Sequence, residues 1–448
     1  MHKTKVAFYT LGCKVNQYET NLLTEKFEKN GYIVVNNNEI ADIYCINSCT
    51  VTNMSDRKTR QMISRMKSQN MTSVIVLLGC YAESIKDDVD KLKNVDILIG
   101  NEDKKNAFEI IDKYFSDNIG SKDNNSNNIN IKTNITTKIA DIGKVKEYSY
   151  QGMLGHKHEI REFVKIEDGC NNFCSYCIIP YVRGRVRSRS LEEITEEVIN
   201  LSNTGVKEIV LVGIEVASYG QDKKDIGLVD VVEKVSQIQG IERVRLSSIE
   251  PRFLTKENLL RLSKIDKFCS HFHISMQSGS TTVLKRMNRK YTKDLLLEVS
   301  KNIYDIFKKP SITADAIVGF PGETEEEFEE TCKTIQKMEL SQIHVFRYSK
   351  RKFTVASKMP SQVDGNVVKK RSEKIIALGE ELKEQYIKKY LGDSSEVLFE
   401  SYKNGYLYGY TDNYIMVKVK GESKLCGMIQ DVALTSLEKG QMIGNVEK

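Results

Sequence analysis

Apolar residues fall into short unbroken runs, separated by longer stretches in which they recur every three or four positions. Runs that short suit buried strands, and the wider spacing suits helices. Lys5 to Thr10 reads as a strand closed by Leu11-Gly12-Cys13, and a helix from about Asn16 to Asn30 carries Tyr18, Leu22, Leu23 and Phe27. Further strands are expected at Ile43–Ile46, Val74–Leu78 and Asp96–Ile99, with a polar helix from about Asn53 to Gln69. Strand and helix in alternation predict a parallel α/β sheet. The rhythm returns in the middle of the chain, with strands at Phe163–Ile166, Glu208–Val212, Arg243–Ser247, His271–Met276, Ile312–Val318 and Ile343–Tyr348. Six strands with helices between them predict a partial (β/α)6 barrel, open on one side, whose chemistry sits at the strand C-terminal ends. After a charged helix from about Val367 to Tyr390 the texture changes. Glu396–Glu400, Tyr406–Tyr410, Ile415–Val419 and Val432–Leu437 are short, alternating and punctuated by glycine, which predicts a small antiparallel barrel.

Asparagine, serine and lysine dominate from about Ser116 to Ile142. Such a stretch buries too little apolar surface to offset its ordering entropy, so it reads as a flexible insertion with room for one short strand near Thr136 to Ala140. The expected organisation is α/β multidomain: an amino-terminal domain over 1–115, an Asn-rich linker over 116–155, a core over 156–390 and a carboxy-terminal module over 391–448. A net charge of +6 permits a polyanionic partner without demanding one. No apolar run reaches membrane-spanning length, and the first residues lead directly into a strand, so neither a membrane nor a signal peptide is expected. Ten cysteines spread over 448 residues do not resemble a secreted disulfide framework, and a reducing cytoplasm is expected.

Six of those cysteines carry the chemistry. Cys170, Cys174 and Cys177 stand at C-x3-C-x2-C spacing in a polar loop, with Tyr176 before the last. A zinc knuckle pair would need a fourth ligand; three thiolates on a four-iron cube leave one iron open for a ligand. Cys13, Cys49 and Cys80 each lie just past the end of a different predicted strand, where open α/β sheets form their crevice. Delivered there, three thiols can converge although they are distant in sequence. Cys45 lies inside its strand and reads as core, and Cys269, Cys332 and Cys426 lack partners at ligand spacing. His271, His273 and His344 sit in strand patterns and read as packed side chains.

The loop Cys170-Asn171-Asn172-Phe173-Cys174-Ser175-Tyr176-Cys177 resembles that of the radical S-adenosylmethionine (SAM) enzymes. The resemblance implies a [4Fe-4S] cluster on Cys170, Cys174 and Cys177 that chelates SAM and cleaves it to a 5′-deoxyadenosyl radical, with Tyr176 beside the cofactor. Leu11-Gly12-Cys13-Lys14-Val15-Asn16-Gln17, Asn47-Ser48-Cys49-Thr50 and Gly79-Cys80-Tyr81-Ala82 are similar to the amino-terminal domain of the methylthiotransferases. That similarity implies a second [4Fe-4S] cluster on Cys13, Cys49 and Cys80, where a sulfur species is methylated. The carboxy-terminal segment resembles the TRAM domain, an RNA-binding module. Within the family, the stretch around Cys13 looks closest to the branch acting on N6-threonylcarbamoyladenosine beside the anticodon; the ribosomal-protein branch has proline where Lys14 stands. The resemblance thus implies addition of a 2-methylthio group to that base in tRNA, with an electron donor such as flavodoxin or ferredoxin and a sulfur source as partners. Phe353-Thr354-Val355-Ala356 and Arg347 depart from that branch's usual residues. The alternatives are the same chemistry on isopentenyladenosine or a ribosomal-protein aspartate, or a non-catalytic RNA-binding iron-sulfur redox sensor.

Glycines at strand ends allow close backbone approach. A glycine after a strand is commonly just a turn, but the radical SAM resemblance implies that Gly213 and Gly319, with Gln277 in a polar strand end, stand at the cofactor. Glu323 is read as helping to cap the helix that follows. Arg183, Arg185, Arg187 and Arg189 follow the cluster loop, and their spacing suits phosphate; salt bridges to the acidic helix behind them are the competing reading. Arg183, Arg187 and Arg189 are carried as RNA contacts, with Lys418. Tyr402, Tyr406, Tyr408, Tyr410 and Tyr414 offer stacking surfaces, about half of them necessarily facing the module's own core.

Overall fold

A computed structural model describes residues 3–89, 92–118, 135–149, 152 and 159–447. The amino-terminal sheet comprises β1 (Lys5–Thr10), β2 (Ile33–Val35), β3 (Ile43–Ser48), β4 (Val74–Gly79), β5 (Ile97–Ile99) and β6 (Thr136–Lys138). Its order is β2-β1-β3-β4-β5-β6 and every pairing is parallel. Both faces are covered, by α1 (Lys14–Lys29) and α4 (Ala107–Asn118) on one side and α2 (Asn53–Gln69) on the other. That is why β3 and β4 are buried at every position and read as unbroken apolar runs. Residues 119–134 of the expected linker lie outside the described residues. The part around Thr136 is a strand, and it extends the sheet by pairing with β5.

The central region carries β7 (Arg161–Lys165), β8 (Glu167–Asp168), β9 (Arg187–Ser188), β10 (Glu208–Val212), β11 (Arg243–Leu246), β12 (His271–Gln277), β13 (Ser311–Val318) and β14 (Gln342–Arg347). Two parallel three-stranded sheets, β11-β10-β7 and β12-β13-β14, are joined by the single bridges Val244↔Phe268 and Ile249↔Ile274. Together they form the six-stranded partial barrel, with the largest apolar core between its strands and the outer helices. The α1 helix closes on this barrel: Val15 packs with Phe163, Val210, Val212 and Ile214.

The carboxy-terminal module is a closed barrel of β15 (Ser394–Lys403), β16 (Tyr406–Thr411), β17 (Met416–Lys420), β18 (Ile429–Glu438) and β19 (Gln441–Val446). Four strands escape the hydrophobic pattern: β2, the two-residue β8 and β9, and β19. β2 has just three residues, and β19 is interrupted by Gly444, where an added Cβ would overlap Val432. The module docks on the N-terminal ends of the central strands. Arg243 donates to the carbonyls of Tyr410 (2.8 Å) and Glu396 (2.9 Å), Arg245 to that of Asp412 (2.7 Å), and Asn413 to that of Lys309 (3.0 Å). Tyr414 stacks on His271 at 4.8 Å and on Tyr410, with the Arg161 and Arg245 guanidiniums over its ring. Tyr410 and Tyr414 therefore serve this junction, which corrects the expectation that they are surfaces for stacking RNA bases.

Candidate metal centres

Because β1, β3 and β4 are adjacent and parallel, their C-terminal ends lie side by side, and each ends in a cysteine of the first triplet. Gly12 (φ +113°) lets the Cys13 loop reach the Cys49 loop; a Cβ there would stand 2.7 Å from Cys49 Cβ and 3.1 Å from its Sγ. Gly79 (φ +99°) does the same between β4 and β3, where a Cβ would meet the Ser48 carbonyl oxygen at 2.7 Å. Only glycine tolerates such crowding with that backbone. Side chains lock the three ends together. Asn16 donates to the carbonyls of Leu11 (2.7 Å) and Ser48 (3.1 Å), Asn47 to that of Asn16 (2.9 Å), and Ser48 to that of Leu78 (2.6 Å).

The thiols sense one another. The charge of Cys80 acts on both Cys13 and Cys49, and that of Cys13 on Cys49. Burial, the largest cause, pushes Cys49 up to about 12 and raises Cys13, so neither would ionise unaided at neutral pH. A bound metal takes the proton's place. N–H groups already point at the sulfurs: Val51 N–H to Cys49 Sγ at 3.5 Å, Asn101 Nδ2 to Cys80 Sγ at 3.6 Å and Arg183 Nε to the same Sγ at 3.3 Å. Cys13 is exposed yet surrounded by protein, as on the wall of an open crevice.

The second triplet follows β7. Gly169 (φ +83°) turns the chain so tightly that a Cβ would overlap the Arg185 carbonyl oxygen, and Cys170 N–H donates to the Gly184 carbonyl at 3.1 Å. The loop is pinned on its far side as well: Ser175 donates to the carbonyls of Met287 (2.9 Å) and Arg286 (2.8 Å), and Asn288 to that of Phe173 (2.9 Å). Asn172 N–H points at Cys170 Sγ (3.4 Å) and Arg289 at Cys174 Sγ (3.2 Å). Burial pushes Cys177 up to about 12 and also raises Cys170, to which the charges of Glu215, Cys177 and Cys174 add. Among the described residues neither triplet is drawn in around a single ion. Thiolates on a four-iron cube each serve a different iron, so an open triplet ringed by N–H donors fits that group.

The other expected cofactor residues gather beside this loop. Tyr176 packs edge-on to Phe320 at 6.5 Å. The Gly213–Glu215 turn is held by the Glu167 carboxylate, which accepts from Ile214 N–H (3.1 Å) and Glu215 N–H (2.9 Å). Gln277 has φ +63° at a bulge that ends β12, an uncommon conformation for a side-chain-bearing residue. Gly319 (φ +73°) donates to Glu323 at 2.8 Å. Glu323 thus braces Gly319 and accepts from Arg371; the following helix, α11 (Glu325–Lys337), is capped by Thr324 and Glu327 instead.

Three arginines are corrected. Arg183, Arg187 and Arg189 are at most 3 % exposed, so they do not offer guanidiniums to RNA. Arg189 pairs with Glu197 of α6 (Leu191–Asn203), Arg187 donates to the Arg183 and Arg185 carbonyls, and Arg183 sits in a buried network. Arg185 is the exposed member of the run, with its guanidinium 4.3 Å from the centre of the Phe173 ring. Lys418 remains on the surface of β17, over Tyr406 at 4.1 Å. Sequence reasoning missed Arg289, Arg351 and Glu215. The first two lie in short basic stretches, Arg289-Lys290 and Lys350-Arg351-Lys352, whose composition does not say which partner they meet. Arg351 reaches from beyond β14 to Thr50 (2.5 Å), Asn53 (2.5 Å) and Asp56 (2.7 Å), clamping the loop after Cys49. Glu215 is buried, pushed up to about 7 by that burial, and its Oε1 has no hydrogen-bond partner among the described residues.

The radical SAM superfamily model matches residues 164–335, and the model of uncharacterized protein family UPF0004 matches residues 5–100. Threonylcarbamoyladenosine tRNA methylthiotransferase MtaB of Bacillus subtilis is 39% identical over 99% of this chain and 97% of its own length. MtaB of Thermotoga maritima is 34% identical over 98% and 96%. The tRNA-2-methylthio-N(6)-dimethylallyladenosine synthase of Clostridium botulinum strain Loch Maree is 34% identical over 97% and 95%. Among solved structures, the radical SAM methyltransferase TsrM of Kitasatospora setae with cobalamin and a [4Fe-4S] cluster bound has a TM-score of 0.55 at 13% identity, over 80% of this chain and 77% of that one, which shows a shared fold. With relatives this similar over their whole length, the chain belongs to the tRNA methylthiotransferase family of the radical SAM superfamily.

Proposed function

We propose that this protein adds a 2-methylthio group to N6-threonylcarbamoyladenosine beside the anticodon of tRNA, using SAM as both methyl donor and radical source. The observation that carries the reading is the wall shared by the two thiol triplets: Ile178, directly after Cys177, packs with Val182 against Cys80. One [4Fe-4S] cluster would be held by Cys170, Cys174 and Cys177, the other by Cys13, Cys49 and Cys80. When bound they supply one-electron cleavage of SAM at the first site and a sulfur attachment point at the second. The protein's residues position and exclude water. Tyr176, Gly213, Gln277 and Gly319 line the place for SAM, and the partnerless Glu215 oxygen is an acceptor that an ammonium group would satisfy. We place the reaction in the cytoplasm, with an external electron donor and sulfur source. No helix among the described residues is long and apolar enough to cross a membrane. Lys418, with Tyr406 beneath it and Tyr402 exposed, offers the terminal barrel's contact to RNA.

Lys14 supports the choice of base. It opens α1 next to Cys13, is exposed, and makes no ion pair among the described residues. Its neighbourhood holds Arg161, Arg245, Glu208 and Asp315, which places it against strands β7, β10, β11 and β13 of the central barrel. A threonylcarbamoyl group carries a carboxylate; an isopentenyl group carries no charge. Lys14→Met is expected to raise KM for the threonylcarbamoyl substrate by about tenfold, the cost of one charge-assisted hydrogen bond. 5′-Deoxyadenosine formation without RNA should be unchanged; an unchanged KM in steady-state assays would remove Lys14 from substrate recognition. The experiment for the function itself is mass spectrometry of nucleosides from a deletion strain. The 2-methylthio form of N6-threonylcarbamoyladenosine should vanish and return with the plasmid-borne gene. Loss of the methylthio isopentenyl nucleoside instead would assign the chain to the other substrate.

A further inference from the structure

Between the two triplets lies a buried network of six ionisable side chains. Lys104, Lys165, Arg183 and Arg187 face Glu19 and Asp168, and none is more than 7 % exposed. Arg183 is its centre. Its Nη1 donates to Glu19 (2.8 Å) and Asp168 (3.2 Å), Nη2 to Asn16 (2.7 Å) and Glu19 (3.2 Å), and Nε to Cys80 Sγ (3.3 Å). Lys104 and Lys165 also reach Glu19, at 2.5 and 2.9 Å, and Lys165 reaches Asp168 at 2.7 Å. Buried charges need partners, and negative charge at Cys80 is in direct contact with the Arg183 guanidinium. The arrangement is one-sided: Arg183 touches a sulfur of the first triplet, whereas its link to the second runs through Asp168, two residues before Cys170.

We propose that Arg183 is a positioning residue for the auxiliary cluster, supplying the counter-charge and the N–H···S bond at Cys80 that hold the cluster in place and raise its reduction potential. Adding an electron makes the cluster more negative, and a fixed guanidinium in a site without water favours that form. Arginine suits the place because it stays charged when buried and its planar fork serves carboxylate, amide and thiolate at once. The inference rests on the reading that Cys13, Cys49 and Cys80 bind a cluster, and the test separates the two.

Arg183→Met and Arg183→Lys are to be compared with wild type by iron content and by redox titration of each cluster followed by electron paramagnetic resonance. Wild type with about four irons instead of about eight would defeat the underlying reading itself. Given about eight, Arg183→Met should lower the auxiliary cluster's potential by at least about 59 mV, a tenfold change in the reduced-to-oxidised ratio, and leave the SAM-binding cluster unmoved. Loss of about four irons in Arg183→Met that Arg183→Lys restores also supports the role. An unmoved auxiliary potential with irons in place, equal shifts at both clusters, or iron loss in both variants would overturn it.

Discussion

Cys174→Ala is expected to reduce SAM cleavage to background, whereas Cys80→Ala should keep 5′-deoxyadenosine formation within about threefold of wild type yet make no methylthio product. Cys174 is buried, pinned between Phe173 and Ser175, which are held to Asn288 and Met287, and faced by Arg289 at 3.2 Å, so no other thiol can replace it. Cys80 lies across the shared wall, and its removal leaves the Cys170 loop's own tethers to Gly184, Met287 and Asn288 intact. It does strand Arg183 Nε, a buried donor whose lost acceptor costs about 1–3 kcal/mol. Cys80→Ala should therefore also melt earlier than Cys80→Ser, whose hydroxyl can still accept. The assay is paired quantification of 5′-deoxyadenosine and methylthiolated nucleoside in one anaerobic reaction. Methylthio product from Cys80→Ala would remove Cys80 from the auxiliary site.

Strand–helix alternation with a cysteine at three successive strand ends was enough to anticipate convergence, because parallel neighbours put their C-terminal ends on one edge. Gly12 and Gly79 were visible as the residues before those cysteines, but the interloop contact that requires them is a tertiary fact. The arginines show where local reading stops. A run of four spaced basic residues has the same appearance whether it meets phosphate or its own protein's acids. The acids that decide the matter, Glu19 and Asp168 for Arg183, lie 164 and 15 positions away. Tyr410 and Tyr414 mislead for the same reason, since alternation in a barrel strand separates inside from outside but not solvent from a neighbouring domain. Arg351 stands 301 residues from Thr50, and nothing in the stretch Tyr348-Ser349-Lys350-Arg351 points to that partner. The two domains are held together by arginines of the central region that enter the amino-terminal domain beside two of its cysteines, and such long-range charge pairing has no period to detect.

Gly169→Ala is the second large effect expected, and it comes from one methyl group. At φ +83° an L-residue is strained, and the new Cβ would occupy the position of the Arg185 carbonyl oxygen. That oxygen belongs to backbone, so it cannot swing aside as a side-chain end would. It also accepts from Arg187, and the adjacent Gly184 carbonyl accepts from Cys170 N–H, so relief must break the β8–β9 pairing or move Cys170. Either displaces the first thiol of the triplet Cys170, Cys174 and Cys177, the one proposed for the SAM-binding cluster. Asp168 would move as well and loosen its bond to Arg183, but Arg183 keeps Glu19, Asn16 and Cys80. The auxiliary site should thus survive. Iron content is expected to fall from about eight to about four, with SAM cleavage lost and the remaining irons removed by a further Cys80→Ala substitution. An alanine variant that retains about eight irons and cleaves SAM would show that the 184–187 turn can retreat, and that the spacing between the two cluster sites is softer than their shared network implies.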